Sequence, residues 1–480
     1  MKRQRHRFKV IALLLFLCFL VLGAYGLWSV HTYGSRWFSH ASNPRLTARK
    51  QTIIEGDILD RNETPLATTV DGERIFQDSA QARAAMVHVI GDRNGQIGNS
   101  VESFQAPYLY GVQSSLLDAL NHLIKKTERR GNTVVLTVSA PLTSEAYRSF
   151  STHALSAGKS GAVVVMNWKT GEVLALLSFP SFDPDQVTEE EISQLDHPYV
   201  NRVTQAAYPP GSTFKVVTAA ALLSRDESAA ERTFDCEGTL QVTDTFTVRD
   251  FNSAVHGKVT LAEAFRHSCN NVFAALALEL GDPALKSQAE KFGFNENFLF
   301  RDLIVYNSAY PSAGQTRDAL AASGYGQSGI TATPLHMCLI ASAVANDGVM
   351  PEPRLLKTVR SSAGTTVLPF SSASVRTVCS SRIAETLRTM MRSVVQNGSG
   401  SPASVSTLDV CGKTGTAVST LDGQPINYGW FIGFNAQEDL PFALCILVED
   451  IPDGETGGTS AAPIAGDLFK WLRNHPDEVR

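Results

Sequence analysis

The stretch "YPPGSTFKVVTAA" at residues 208–220 decides how the chain is read. Pro-Pro-Gly precedes a serine, and a lysine follows three residues later at the start of an apolar run. Read as a helix over 212–223, it places Ser212 and Lys215 on one face, because positions i and i+3 are neighbours. The amide groups of a helix N-terminus also favour a developing anion. A serine hydroxyl is a weak nucleophile and needs a base. Lysine serves only if burial or a nearby cation brings its pKa down from about 10.4. The reading therefore demands a second cation. Ser-x-x-Lys occurs again as "SAGK" at 156–159, but there the pair lies in a glycine-containing stretch entering a strand, which places the lysine poorly.

Lys413 in "CGKTGTAV", residues 411–418, supplies the second cation. It lies between Val410 and Val418 and reads as a strand. Gly415 admits another chain or a substrate close to the backbone, and the strand's free amide groups suit an extended peptide. A second Lys-Thr-Gly at 169–171 falls in the turn between strands at 162–166 and 172–177, which accounts for its glycine. Ser268 and Asn270 in "RHSCNNVF" form the single Ser-x-Asn of the chain and stand before an apolar helix. Helix capping would explain them in isolation. The order Ser-x-x-Lys, Ser-x-Asn, Lys-Thr-Gly-Thr is far more specific than any one member.

The rest of the chain sets the context. Its 480 residues, 43% hydrophobic and 19% charged, suit more than one globular domain. The net charge of −5 argues against a nucleic-acid partner. Seven cysteines, odd in number, widely spaced and without a C-x-x-C pair, argue against a zinc ribbon, a thioredoxin-like centre or a disulfide framework. No H-E-x-x-H spacing exists among the histidines. His267, beside Ser268, is expected to pack or face solvent, and Cys269 to turn into the core. Residues 10–30 carry no charge and follow Lys2, Arg3, Arg5, Arg7 and Lys9. That pattern predicts a spanning helix with its N-terminus cytoplasmic; a cleaved signal peptide is the alternative.

Beyond the anchor, 31–155 reads as a linker and short strands, with glycines at turn spacing over 86–111, a helix at 114–126, a strand at 134–138 and a helix from about 143. From 156 to 480 strands come first and last (429–434 and 442–448 at the end), with helices between. Those helices include 261–280 and 333–348, and "DLFKWLRNH" closes the chain. This is an α+β arrangement whose sheet is built from both ends of the segment.

The ordered motifs resemble those of the penicillin-recognising serine acyltransferases. Within them the chain is similar to class B penicillin-binding proteins, monofunctional peptidoglycan D,D-transpeptidases. "EGDILDRNETPLA" at 55–67, "HVIGDRNGQIGNSVE" at 88–102, "KTGEVLALLSFPSFDP", "GYGQSGITATPLHM", "NYGWFIGF" and "TGGTSAAP" extend the resemblance over nearly the whole chain after the anchor. Glu55 stands where the family has arginine and Ser139 where it has aspartate.

The resemblance implies a cytoplasmic tail at 1–9, an anchor at 10–30, a small β-rich pedestal at 31–155 and, at 156–480, a transpeptidase domain. That domain would have the penicillin-binding and serine β-lactamase-like fold, a central antiparallel sheet flanked by helices. It implies acyl transfer from D-Ala-D-Ala stem peptides through Ser212, with Lys215 as base and Ser268 and Lys413 relaying a proton. Asn270, Thr414, Gly415 and Thr416 would bind substrate, and the backbone N–H groups of Ser212 and Thr416 would form the oxyanion hole. It implies β-lactam acylation, a membrane-embedded glycan polymerase as partner, and no metal or cofactor. A β-lactamase or β-lactam sensor, a carboxypeptidase, and a non-catalytic cell-wall scaffold are the competing readings.

Overall fold

The structure, a computed structural model, describes residues 2–38, 52–112, 129–312, 314–421 and 423–479. The helix expected at 114–126 lies outside the described residues. The first helix, Lys2–Phe38, contains His6–Val30, the one stretch among the described residues long and apolar enough to cross a membrane. Its apolar side chains are exposed from Phe8 to Val30.

The central sheet has five antiparallel strands, in the order Val410–Leu421, Gln424–Asn435, Phe442–Glu449, Gly161–Asn167, Val173–Phe179. It joins both ends of the segment, as the strand pattern anticipates. Its inner strands are near-continuous apolar runs because both faces are covered. The period of two decides which side chain meets which layer. Val164, Met166, Cys445 and Leu447 join the core that holds the helices Lys215–Arg225 and Pro334–Ala345. Val163, Val165, Leu444 and Ile446 pack with the helices Ala140–Thr152 and Ala462–Asn474. All residues of Pro334–Ala345 are buried, so it shows no polar face; it starts where the Thr333 hydroxyl accepts the His336 N–H.

A second sheet has six strands, in the order Thr366–Leu368, Leu356–Arg360, Thr133–Leu136, Ile58–Leu59, Pro65–Val70, Glu73–Phe76. Ile58–Leu59 pairs parallel with Thr133–Leu136, and the other pairs are antiparallel. Its two strands at 356–368 come from deep inside the later segment. Arg354, just before them, forms a buried ion pair with Asp302 at 3.0 Å. Helices Ala80–Ile90, Val101–Phe104 and Ala106–Leu109 occupy much of the glycine-spaced stretch. Gly91 ends the first of these at φ 125°, a conformation an L-residue rarely adopts.

Candidate active site

Residues 208–215 form a tight turn wedged between the central sheet and the helical layer. Gly211–Phe214 is a single 3₁₀ turn, and the α-helix Lys215–Arg225 continues it. Tyr208 exchanges backbone hydrogen bonds with Ala332, and Gly211 N–H donates to Gly326 O at 3.1 Å. Trp430 Nε1 donates to Pro209 O at 3.0 Å. Ser212 is half-buried at the head of this turn. Gly415 on the neighbouring strand explains the close fit. A Cβ there would stand 2.9 Å from both Pro210 O and Thr213 Cγ2. The sequence places a glycine at 415 for close approach, and what approaches is the Ser212 turn.

Lys215 is fully buried and its ammonium finds three acceptors. It donates to Ser268 O at 2.5 Å, Ser268 Oγ at 3.1 Å and Asn270 Oδ1 at 2.8 Å. Three acceptors match the three N–H bonds of an ammonium. The ammonium is thus turned to Ser268 and Asn270 rather than to the Ser212 hydroxyl three residues before it. Lys413, also fully buried, donates to the same Ser268 Oγ at 3.0 Å and to Thr414 O at 3.0 Å. The Phe273 ring lies 5.4 Å from Lys215 Nζ and the Phe265 ring 5.6 Å from Lys413 Nζ. Burial pushes the Lys215 ammonium down to about 7. Burial, and then the charge of Lys215, holds Lys413 well below the usual lysine range.

Ser268 joins the helices Leu261–Arg266 and Asn270–Leu280 in a left-handed conformation, φ 57°. Capping does not account for it: Cys269 is the cap residue, and the helix N–H groups of Asn270 and Asn271 donate to Asp250 Oδ1. Asn270 Nδ2 is anchored on Arg249 O at 3.0 Å. Asp250, which no motif marked, thus fixes the segment bearing Ser268 and Asn270. Thr414 is buried and hydrogen-bonded to the Ser399 hydroxyl, another residue absent from the motifs. Thr416 is half-buried and its hydroxyl accepts from Gly457 N. The strand Val410–Leu421 that carries them is an edge of the central sheet.

The decoys lie elsewhere and are engaged. Ser156 donates to Phe150 O, and Lys159 pairs with Asp450 at 2.7 Å. Lys169 pairs with Glu438 at 3.0 Å. His267 is exposed and stacks on His256, with ring centroids 4.3 Å apart.

A hydroxyl at a helix start, a buried lysine with a lowered pKa, a second ammonium on a shared hydroxyl and an open strand edge form a constellation for acyl transfer. A family model described as the penicillin binding protein transpeptidase domain matches residues 161–470. The chain belongs to that family. Among relatives of this penicillin-binding protein is the peptidoglycan D,D-transpeptidase PbpA of Mycolicibacterium smegmatis, 33% identical over 325 residues, 63% of this chain and 65% of that protein. Another is the peptidoglycan D,D-transpeptidase MrdA of Acinetobacter baumannii, 28% identical over 416 residues, 79% of this chain and 60% of that protein. The chain thus spans somewhat less than two thirds of the length of either.

Among solved structures, penicillin-binding protein A from M. tuberculosis as its ceftriaxone acyl-enzyme superposes with a TM-score of 0.79 at 26% identity. The match covers 88% of this chain and 98% of that one. The D,D-transpeptidase domain of a peptidoglycan glycosyltransferase from Eggerthella lenta superposes at 0.75 with 31% identity, covering 88% and 99%.

Proposed function

We propose that the protein is a class B penicillin-binding protein that cross-links peptidoglycan by acyl transfer. The observation that carries this is the Ser268 hydroxyl held between two buried lysine ammonium groups, one of them on Lys215, which directly follows the turn of Ser212. The Ser212 hydroxyl attacks the carbonyl of the D-Ala-D-Ala bond of a stem peptide. Its proton passes to neutral Lys215 as the serine–carbon bond forms. Ser268, supported by Lys413, returns a proton to the leaving nitrogen, the C–N bond breaks and D-alanine departs. Lys215 passes its proton to Ser268 and is neutral again. The amine of a neighbouring stem then attacks the ester and gives its proton to Lys215. The bond between the carbonyl carbon and Ser212 Oγ breaks, and Lys215 returns that proton to Ser212 Oγ.

Asn270 holds the substrate amide, and Thr414 and Thr416 hold the terminal carboxylate beside Lys413. Gly415 keeps the strand against the nucleophile turn. The N–H groups of Ser212 and Thr416 face the oxyanion. A peptide substrate lies along the open edge of Val410–Leu421. The segments assigned from sequence, a tail at 1–9, an anchor at 10–30, a pedestal at 31–155 and a catalytic region at 156–480, accord with this reading. The basic N-terminus places the catalytic region outside the membrane, and the anchor and pedestal offer surfaces for a membrane-embedded glycan polymerase.

Intact-mass spectrometry after brief β-lactam exposure tests the assignment. The expected result is one drug equivalent per chain, mapped to Ser212 and absent from Ser212→Ala. An adduct on another residue overturns the site. Rapid loss of the adduct by hydrolysis overturns the transpeptidase reading in favour of a β-lactamase.

A further inference from the structure

Beside the lysine pair lies a second group of side chains that acyl transfer does not use. Cys236 ends the strand Thr233–Cys236, which pairs antiparallel with Gly257–Thr260 in the register Cys236↔Gly257. His256 precedes that second strand, and its N–H donates to Cys236 O at 3.0 Å. Asp250 follows the strand Phe246–Arg249, and Cys269 caps the helix Asn270–Leu280. These four segments bring two thiols, an imidazole and a carboxylate together, with one ligand atom from each within 4.8 Å of all the others. Cys236 Sγ stands 3.1 Å from Asp250 Oδ2 and 3.1 Å from His256 Nδ1. His256 Nδ1 is 3.9 Å from Asp250 Oδ2. Cys236, Asp250 and Cys269 are buried, and His256 reaches the surface.

The carboxylate divides its work. Oδ1 accepts the N–H groups of Asn270 and Asn271, while Oδ2 faces the Cys236 thiol and the His256 ring. The Asn271 side-chain amide donates to both oxygens, at 2.7 and 2.9 Å, and Oδ2 is the one that also faces the thiol and the imidazole. Tetrahedral Zn²⁺ takes sulfur ligands at about 2.3 Å and nitrogen or oxygen ligands at about 2.0–2.2 Å, so ligand atoms stand roughly 3.3–3.8 Å apart. The observed separations bracket that spacing. Two sulfurs and an imidazole disfavour Mg²⁺ and Ca²⁺, which take oxygen shells, and suit a borderline-soft ion.

We propose that Cys236, Asp250, His256 and Cys269 form a structural site for one zinc ion. Four protein ligands leave no open position, so the ion takes no part in the reaction. Its consequence is positional. Cys269 stands between Ser268 and Asn270, and Asp250 anchors their segment, so the metal ties the Ser-x-Asn turn to the Cys236 ribbon. The spacing of the ligands, at 236, 250, 256 and 269, matches no short zinc motif and becomes a cluster only through strand pairing.

The full chain, purified in detergent without added metal, is the sample for the test. Elemental analysis is expected to find about one zinc per chain, and Cys236→Ser or His256→Ala, each removing a direct ligand, to weaken binding by more than the roughly 10- to 100-fold that loss of an outer-shell partner costs. Cobalt(II) loaded in place of zinc is expected to give thiolate-to-metal charge-transfer absorption and the strong visible bands of a tetrahedral ion. Should the variants misfold, the unaltered chain suffices: after chelation, iodoacetamide should modify Cys236 and Cys269, and added Zn²⁺ should protect both. Less than about one tenth of an equivalent of zinc after reloading, unprotected thiols, or a Cys236–Cys269 disulfide in the purified chain would each overturn the site. None of these readouts depends on acylation, so the proposed transpeptidase activity stands or falls separately.

Discussion

Lys215 and Lys413 meet on a single oxygen: the Ser268 hydroxyl lies 3.1 Å from one ammonium and 3.0 Å from the other. Burial opposes both charges, and the charge of Lys215 opposes that of Lys413 as well. Burial leaves Lys215 shedding its proton near neutrality, beside a hydroxyl positioned to carry it. The two ammonium groups come from segments almost two hundred residues apart.

The first prediction is a pH profile. Lys215 accepts a proton only when neutral, and burial sets its pKa at about 7. The second-order rate of acylation by a β-lactam of constant charge should therefore climb through about pH 7 and level off above it. Stopped-flow measurements from pH 5.5 to 9 decide; a flat profile would remove Lys215 from the role of base. The same shift acts on stability. With the folded pKa depressed, the unfolded chain holds more protons between about pH 7 and 10.4. The contribution of this group to stability must then rise with pH across that window.

Ser268 is held at φ 57°, where a side chain costs conformational energy that glycine avoids. Ser268→Ala and Ser268→Gly both delete the shared hydroxyl, and both should slow acylation about 100-fold. They should differ in stability, with glycine ahead of alanine by roughly 1 kcal/mol. Urea unfolding of the two variants measures the difference, and an alanine variant as stable as the glycine one would contradict strain at this position.

Gly415 offers a steric test. A methyl group there meets Pro210 O and Thr213 Cγ2 at 2.9 Å, so the strand or the nucleophile turn must move. Gly415→Ala should lose about 1–3 kcal/mol of stability, and a displacement approaching 1 Å would slow acylation about 100-fold. Unchanged acylation kinetics would show that the turn tolerates displacement.

Much of this site was legible because local spacing carries it. Ser212 with Lys215, and Ser268 with Asn270, are short patterns at helix starts, and context separates Lys413 on its apolar strand from Lys169 in its turn. The central sheet was legible for a similar reason: buried strands leave apolar runs, and those at 162–166, 429–434 and 442–448 lie inside the strands observed. Asp250 was not legible, because it acts from a loop on helix N–H groups that only the fold brings near. Nor were the strands Leu356–Arg360 and Thr366–Leu368, which are short and partly polar; the first pairs with residues more than two hundred positions away, and the second pairs with the first. The preference of Lys215 for Ser268 and Asn270 over Ser212 depends on where three acceptors lie in space, and spacing along the chain does not encode that.

That long-range pairing yields the last prediction. Arg354 Nε meets Asp302 Oδ2 at 3.0 Å, both side chains are almost wholly buried, and the same oxygen accepts the N–H groups of Leu355 and Leu356. Those residues lead into the strand Leu356–Arg360 of the second sheet, and Arg354 O accepts the N–H of Val173 in the central sheet at 2.8 Å, so this carboxylate steadies the segment that joins the two sheets. Arg354→Met leaves the carboxylate buried without its cation and should cost about 3–5 kcal/mol. The double variant Arg354→Met, Asp302→Leu removes both charges and should recover part of that loss, although Leu355 and Leu356 then lose an acceptor. The acylation rate per folded molecule should stay unchanged in both, because the pair lies outside the lysine cluster. Chemical denaturation of the three proteins, read beside β-lactam labelling at low temperature, checks both statements. A single variant as stable as the parent would mean that the strand is held by its ladder alone.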